Sequence, residues 1–381
     1  MKQREIVVDM VKAAFIVLAV KVVASSSVIM PWNSLVDNLC IMFAVCVMLV
    51  KVCKLTLALS KVIILCVISA VVLYSCVSLG QYDLMISLIA ICLLIDEDID
   101  AYIAVLLKTQ ALLVAAHIVL SIFLTLIGKG YLFWSTTGTR IRFSGGFVHP
   151  NVLSSYISSC MLMFAWVHFK QITTNKWGCM AAVMVLSYAM TKSRTGLLMH
   201  SIVLLLVYFA QREKTMLEKT INPVLLLLFP GLAVLTFWAQ EQFLGNNPAA
   251  LLLDEILTGR IKYAAYAYVR SGTTWLPRYL DYVAEGVVSW TQEWNLNTFT
   301  FDNLYSFMFM QMGVVWIAIF TVMIAVVCRK SDFKVKVFIL MWVIYAMVEV
   351  HGLNCFKFYP ILLLSTLFSK EETSDESAGN V

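Results

Sequence analysis

Charge is scarce in this chain. Only 13% of its 381 residues are Asp, Glu, Lys or Arg, about half the share of an ordinary soluble protein, while 61% are hydrophobic. That shortage excludes a string of soluble domains, because apolar runs of membrane-spanning length recur along nearly the whole sequence. Several signatures of soluble enzymes are missing too. There is no CxxC, no HExxH, no P-loop and no Ser-His-Asp pattern. The ten cysteines fall mostly inside apolar runs, where a thiol behaves as a small hydrophobe, so neither a disulfide framework nor a zinc site is expected. No tandem repeat is visible, nor the paired broken helices of an inverted-repeat transporter.

What remains reads as an all-α integral membrane protein of about twelve transmembrane helices. After a first span ending near Met30, apolar runs cover roughly 36–52, 59–79, 83–95, 101–127, 151–170, 176–190 and 194–210. Four more follow at about 222–239, 303–328, 334–350 and 356–369. The organisation is then a helix bundle over 1–239, a partly helical extracytoplasmic loop over 240–302, C-terminal helices over 303–370 and a disordered tail over 371–381. The net charge of +5 is modest, and its basic residues sit in short clusters between the runs, a positive-inside pattern rather than a nucleic-acid patch. Lys51 and Lys54, Lys170, Arg212 and Lys214, and Arg329 and Lys330 share one side. That side is cytoplasmic, as are both termini, in the inner (cytoplasmic) membrane.

Basic residues on the other side run against the bias and therefore invite a local reason. Arg140, Arg142, Arg194, Arg260, Arg270 and Arg278 all fall there, either binding an anion or anchoring at the headgroup level. Arg140 and Arg142 open a polar run that ends Gly145-Gly146-Phe147-Val148-His149-Pro150-Asn151. The glycines permit close backbone approach or a positive φ, and Pro150 suits the first turn of a helix whose free amides could hold a phosphate. His149 is a candidate acid, base or hydrogen-bond donor, or simply part of a helix cap. Thr191-Lys192-Ser193-Arg194-Thr195-Gly196 places an arginine between hydroxyls at a membrane entrance. Within the long loop, Leu251–Arg270 should be mostly helical, with Arg260, Tyr263, Ala267 and Arg270 on one face. Its aromatics, among them Tyr266, Trp275 and Trp290, suit both sugar stacking and interfacial anchoring. Asp302 opens the next span, as a functional carboxylate or an N-cap. The Asp96-Glu97-Asp98-Ile99-Asp100 run suits a helix cap and a solvated turn better than a metal site. Glu349 and His351 are weaker candidates near the outer end of a span.

In order and spacing these motifs resemble the O-antigen polymerase and O-antigen ligase superfamily. The resemblance is carried by Arg142-x-x-Gly145-x-Phe147-x-His149-Pro150-Asn151, by Ser193-Arg194-Thr195, by Gly259-Arg260-x-x-Tyr263, and by Asp302-Asn303-x-Tyr305 with Gly313. It implies a metal-independent, cofactor-free membrane glycosyltransferase that polymerises undecaprenyl-diphosphate-linked repeat units at the outer face. Ligases of this superfamily usually carry His where this chain has Asp302, so a capsule or exopolysaccharide polymerase is the nearer likeness. A ligase passing the glycan to another acceptor is the alternative, and a repeat-unit transporter a third. By the same resemblance, Asp302, His149, Arg194 and Arg260 are catalytic, and Arg140, Arg142, Arg194 and Arg260 hold the diphosphate. Tyr263, Tyr266, Trp275 and Tyr305 contact glycan. The partners implied are the lipid-linked donor and acceptor, the bilayer, a chain-length regulator and a flippase.

Overall fold

The computed structural model describes residues 2–136, 140–257, 259–280 and 301–369, with side chains described from residue 8 onward and not for 135–140. The chain begins with α1 (Lys2–Ser25), α2 (Ser34–Val52), α3 (Leu59–Leu79), α4 (Asp83–Leu94) and α5 (Ile99–Leu126). An antiparallel hairpin, β1 (Phe133–Thr136) and β2 (Arg140–Phe143), pairs Trp134 with Arg142. Then come α6 (Pro150–Val167), α7 (Thr174–Thr191), α8 (Arg194–Arg212) and α9 (Lys214–Leu244). Two shorter helices follow, α10 (Pro248–Ile256) and α11 (Arg260–Ser271). After α12 (Leu304–Phe307) and a π turn at Met308–Met312 come α13 (Val314–Lys330) and α14 (Phe333–Tyr345). Two 3-10 segments, Val350–Leu353 and Tyr359–Leu367, complete the described chain.

Helix starts fall where short polar residues interrupt the apolar runs. Asn33 accepts from the Val36 amide, Asp98 from Ala101, Ser193 from Gly196 and Asp332 from Val335, each satisfying a first-turn donor. Asp98 thus caps α5, as the acidic run suggested, while Glu97 pairs with Lys51 and Asp100 accepts from Lys334 and the Trp166 indole. Among the described residues, five helices, α2, α3, α5, α8 and α9, are long and apolar enough to cross a membrane. They bury only 17–39% of their apolar windows inside the protein, leaving faces such as Val77, 85% exposed, that suit lipid and not water. The shorter α4 and α14 and the Tyr359–Leu367 segment lie at the centre, buried nearly all round. The described chain is thus mostly helical, and its long apolar helices fit a membrane protein.

Four expected elements differ. The span expected at 356–369 is a nine-residue 3-10 segment, Tyr359–Leu367, and not a membrane-length α-helix. Leu251–Arg270 is two helices, because Gly259 takes φ +85° and turns the chain before Arg260. Asp254 of α10 then accepts from the Lys262 amide at 2.8 Å and helps cap α11. The span expected at 303–328 is interrupted at Gly313, which takes φ +92°. A Cβ there would lie 2.5 Å from the Trp275 carbonyl, because residues 274–278 run against the π turn as a strap. Thr274 N–H donates to Phe309 O, Val314 N–H to Thr274 O, and Arg278 N–H to Gln311 O. Arg278 completes the strap: Nε donates to Met310 O and Nη2 to the carbonyls of Ser271 and Gly272. Arg278, one of the arginines expected to bind an anion or anchor at headgroups, therefore has a structural role. Finally, α14 stops at Tyr345, so Glu349 lies beyond the helix. The tail over 371–381 and the loop aromatics Trp290 and Trp294 lie outside the described residues, as does Thr258.

Candidate functional site

The site forms where the turn between α7 and α8 meets the hairpin, α11 and the chain after α14. α7 ends on Lys192, which adopts a left-handed φ of +51°, and Ser193 caps α8. That tight turn brings Thr191 O and Thr195 Oγ1 to one place, and each receives an arginine. Arg142 Nε donates to Thr191 O at 2.7 Å, and its Nη2 to Asn151 Oδ1 at 2.8 Å. Thr191 O is one of the terminal carbonyls that a helix cannot satisfy internally, so a guanidinium there also complements the helix dipole. Arg260 Nη2 donates to Thr195 Oγ1 at 2.8 Å. Arg142 reaches the turn from β2, and Arg260 from the first position of α11, which Gly259 aims at it.

Two carboxylates flank Arg260. Asp302 Oδ2 lies 3.4 Å from Nε and Glu349 Oε1 lies 3.7 Å from Nη2. The Asp302 carboxylate is 40% exposed and that of Glu349 only 9%, so one faces solvent and the other the interior. Asp302 does not cap α12. Asn303 does, accepting from the amides of Tyr305 and Ser306, which leaves the Asp302 carboxylate for Arg260. Burial pushes the Glu349 carboxyl up to about 8; Arg260 opposes this and Asp302 adds to it. His351 Nε2 sits 4.0 Å from Glu349, and burial with nearby Lys357 keeps its imidazole neutral. Beyond it, Lys357 and Asn354 both contact Asp83.

The His-Pro-Asn motif closes the other flank. Pro150 occupies the first turn of α6, and His149 Nδ1 accepts from the Asn151 amide at 3.1 Å. An accepting Nδ1 puts the ring proton on Nε2, so His149 is a donor there and not a proton acceptor. Burial and Arg142 lower its pKa, with Asp302 opposing, so the imidazole is neutral. The Trp134 indole packs edge-on to His149 and lies under the Arg142 guanidinium. Gly145 and Gly146 take φ of +60° and +85°, and a Cβ on Gly146 would meet Ser121 Oγ at 2.8 Å. Close approach and positive φ both apply. Below the arginines, Ser154, Ser155, Ser158 and Thr195 line a small cavity of about 10 Å³ with Glu349, room for a single water. His200, beneath it, is hydrogen-bonded to Ser158 between helices.

Among the expected site residues, then, Arg142, His149, Arg260 and Asp302 converge. Arg194 begins α8 on the same turn, but it is exposed where Arg142 and Arg260 are half-buried, and it has no polar partner among the described residues. Arg140 lies on β2, with its side chain outside the described residues. Two of the expected glycan contacts are corrected. Tyr266 is 2% exposed and Tyr305 fully buried, its hydroxyl donating to Val343 O, so neither ring has a face for a sugar. Tyr263 is half-buried beside Gly259, and Trp275 is 78% exposed. Sequence reading underweighted Glu349 and missed Lys357 and Asp83. Lone charges within apolar stretches were the available signal. No family model matches the chain, and neither a curated protein nor a solved structure matches it.

Proposed function

We propose that the chain is an integral membrane glycosyltransferase that polymerises undecaprenyl-diphosphate-linked repeat units at the outer face of the cytoplasmic membrane. The observation that carries this reading is the convergence of Arg142 and Arg260 on one helix–helix turn, with a solvent-open carboxylate, Asp302, beside them. The order of motifs along the sequence supports it. So does the cluster's position at the start of α8, the end of that helix opposite Arg212.

The chemistry needs few parts. An acceptor hydroxyl attacks the anomeric carbon of the donor glycan, a new C–O bond forms, and the bond from that carbon to the diphosphate oxygen breaks with its electron pair. The departing diphosphate gathers negative charge, which preorganised guanidinium groups can neutralise. Arg260 does this by exchanging its loose contacts with Asp302 and Glu349 for phosphate oxygens. Arg142 contributes from the hairpin, and the exposed Arg194 meets the diphosphate at the rim. Asp302, released, takes the acceptor proton. His149 donates from Nε2 rather than acting as base. Trp275 and Tyr263 remain for glycan contact.

Purified protein supplied with lipid-linked repeat unit in EDTA, with products resolved by size, tests the proposal. A ladder of products is expected, lost in Arg260→Ala and Asp302→Asn. A single shifted band that needs a different added acceptor would replace polymerase with ligase. No new bond under any condition would overturn the enzymatic reading.

A further inference from the structure

At the end of the helices opposite the arginine cluster lies a second polar cavity, of about 580 Å³. It is enclosed by the end of α6, the α8–α9 junction and the α13–α14 junction. Four lysines line it, Lys170, Lys214, Lys334 and Lys336, against two acids, Glu218 and Asp332. Those acids and lysines do not balance each other. Asp332 is committed to the Val335 amide as the α14 cap, and Lys334 to Asp100 and the Trp166 ring. Lys170, Lys214 and Lys336 have no ion pair among the described residues. Nor does any side chain cap the start of α9 at Lys214, so first-turn amides add to the positive field there. With Lys334 paired to Asp100, three lysines face two carboxylates, so the lining keeps a net positive charge that an anion would offset.

The cavity walls say which anion. Phe169, Ala210 and Phe333 give it an apolar side next to the lysines. It also sits at the ends of α8 and α9, two of the helices apolar enough to cross a membrane, and so at the level of lipid headgroups. We infer that this cavity binds a phosphate-bearing anion, the headgroup of an anionic phospholipid, between α6, α9 and α14. Lysines hold the phosphate as point charges, and the aromatic wall receives the start of the acyl chains. The inference does not depend on the proposed glycosyl transfer.

The test titrates three probes into the detergent-purified protein: short-chain phosphatidylglycerol, short-chain phosphatidylcholine and inorganic phosphate. The same titrations are made on Lys214→Gln/Lys336→Gln. Phosphatidylglycerol should bind the wild type, the zwitterionic lipid should not, and the double variant should bind roughly fivefold more weakly for each lysine removed. Inorganic phosphate binding as tightly, with the same dependence on the lysines, would keep the phosphate site and make its source soluble. Phosphatidylglycerol binding equally to both proteins, or to neither, would overturn the inference. If the double variant melts lower than the wild type without lipid, the exposed Lys170→Gln replaces it under the same criteria.

Discussion

Replacing Arg260 by Ala should destabilise the protein by an amount that grows with pH, and the structure sets the scale. At neutral pH and below, Glu349 holds a proton, since burial has raised its carboxyl to about 8. The variant then loses the hydrogen bond to Thr195 and a pairing with the half-exposed Asp302, together about 2 kcal/mol. Above pH 8 the wild type also gains the pairing of Arg260 with an ionised, nearly buried Glu349, while the variant must keep that carboxyl protonated, which brings the loss to about 3–5 kcal/mol. The sign follows from linkage. Arg260 lowers the Glu349 pKa, so in the variant that pKa is higher still. Between the two values the wild type has already released the proton that the variant retains. The gap in stability therefore widens as pH rises through 8, by about 1.4 kcal/mol for each pH step until the variant's own pKa is reached. Thermal unfolding of both proteins in one detergent, at about pH 6 and about pH 9.5, measures this, with Glu349→Gln as background. In that background the cost of Arg260→Ala should be the same at both pH values. A gap that stays constant or narrows with pH in the native background would refute the argument.

Other expectations are narrower. Asp302→Asn should abolish polymer while lowering the melting temperature only slightly, by the loss of one partly exposed pairing with Arg260, because Asn303 and not Asp302 caps α12; a large drop in melting temperature would return Asp302 to a structural role. Asn303→Ala removes two amide partners at that cap and should cost about 1 kcal/mol by thermal unfolding. Gly313→Ala should destabilise strongly, since its φ of +92° is strained for any side chain and the new Cβ would strike the Trp275 backbone. A fully stable Gly313→Ala protein would contradict the strap. Arg278→Ala should leave assembly intact yet expose residues 272–278 to limited proteolysis, because the side chain ties those residues to Ser271 and Met310.

Much of the helical layout was legible because helix starts are written locally. An apolar run preceded by Asn33, Asp98, Ser193 or Asp332 has both its burial face and its cap within a few residues. The His-Pro-Asn start of α6 and the paired glycines before it were readable for the same reason. Composition alone, with so little charge among so many apolar residues, pointed to the long apolar helices that fit a membrane protein. Candidate arginines could also be picked out, since a cation in an apolar setting needs a reason.

What the sequence could not rank was which arginine does what, because that depends on partners far along the chain. Arg278 binds carbonyls of a π turn that begins thirty residues later, Arg194 stays exposed, and Arg260 meets Thr195, Asp302 and Glu349 from three separate segments. Tyr305 and Tyr266 looked like ring faces for a sugar until tertiary packing buried them. The break at Gly313 likewise depends on a strap supplied by the preceding loop, against which only a glycine fits at that point of the span. Local chemistry determined the elements of this protein. Only the long-range contacts, where a buried charge must find its counter-charge or hydrogen-bond partner, decided which of them form the site.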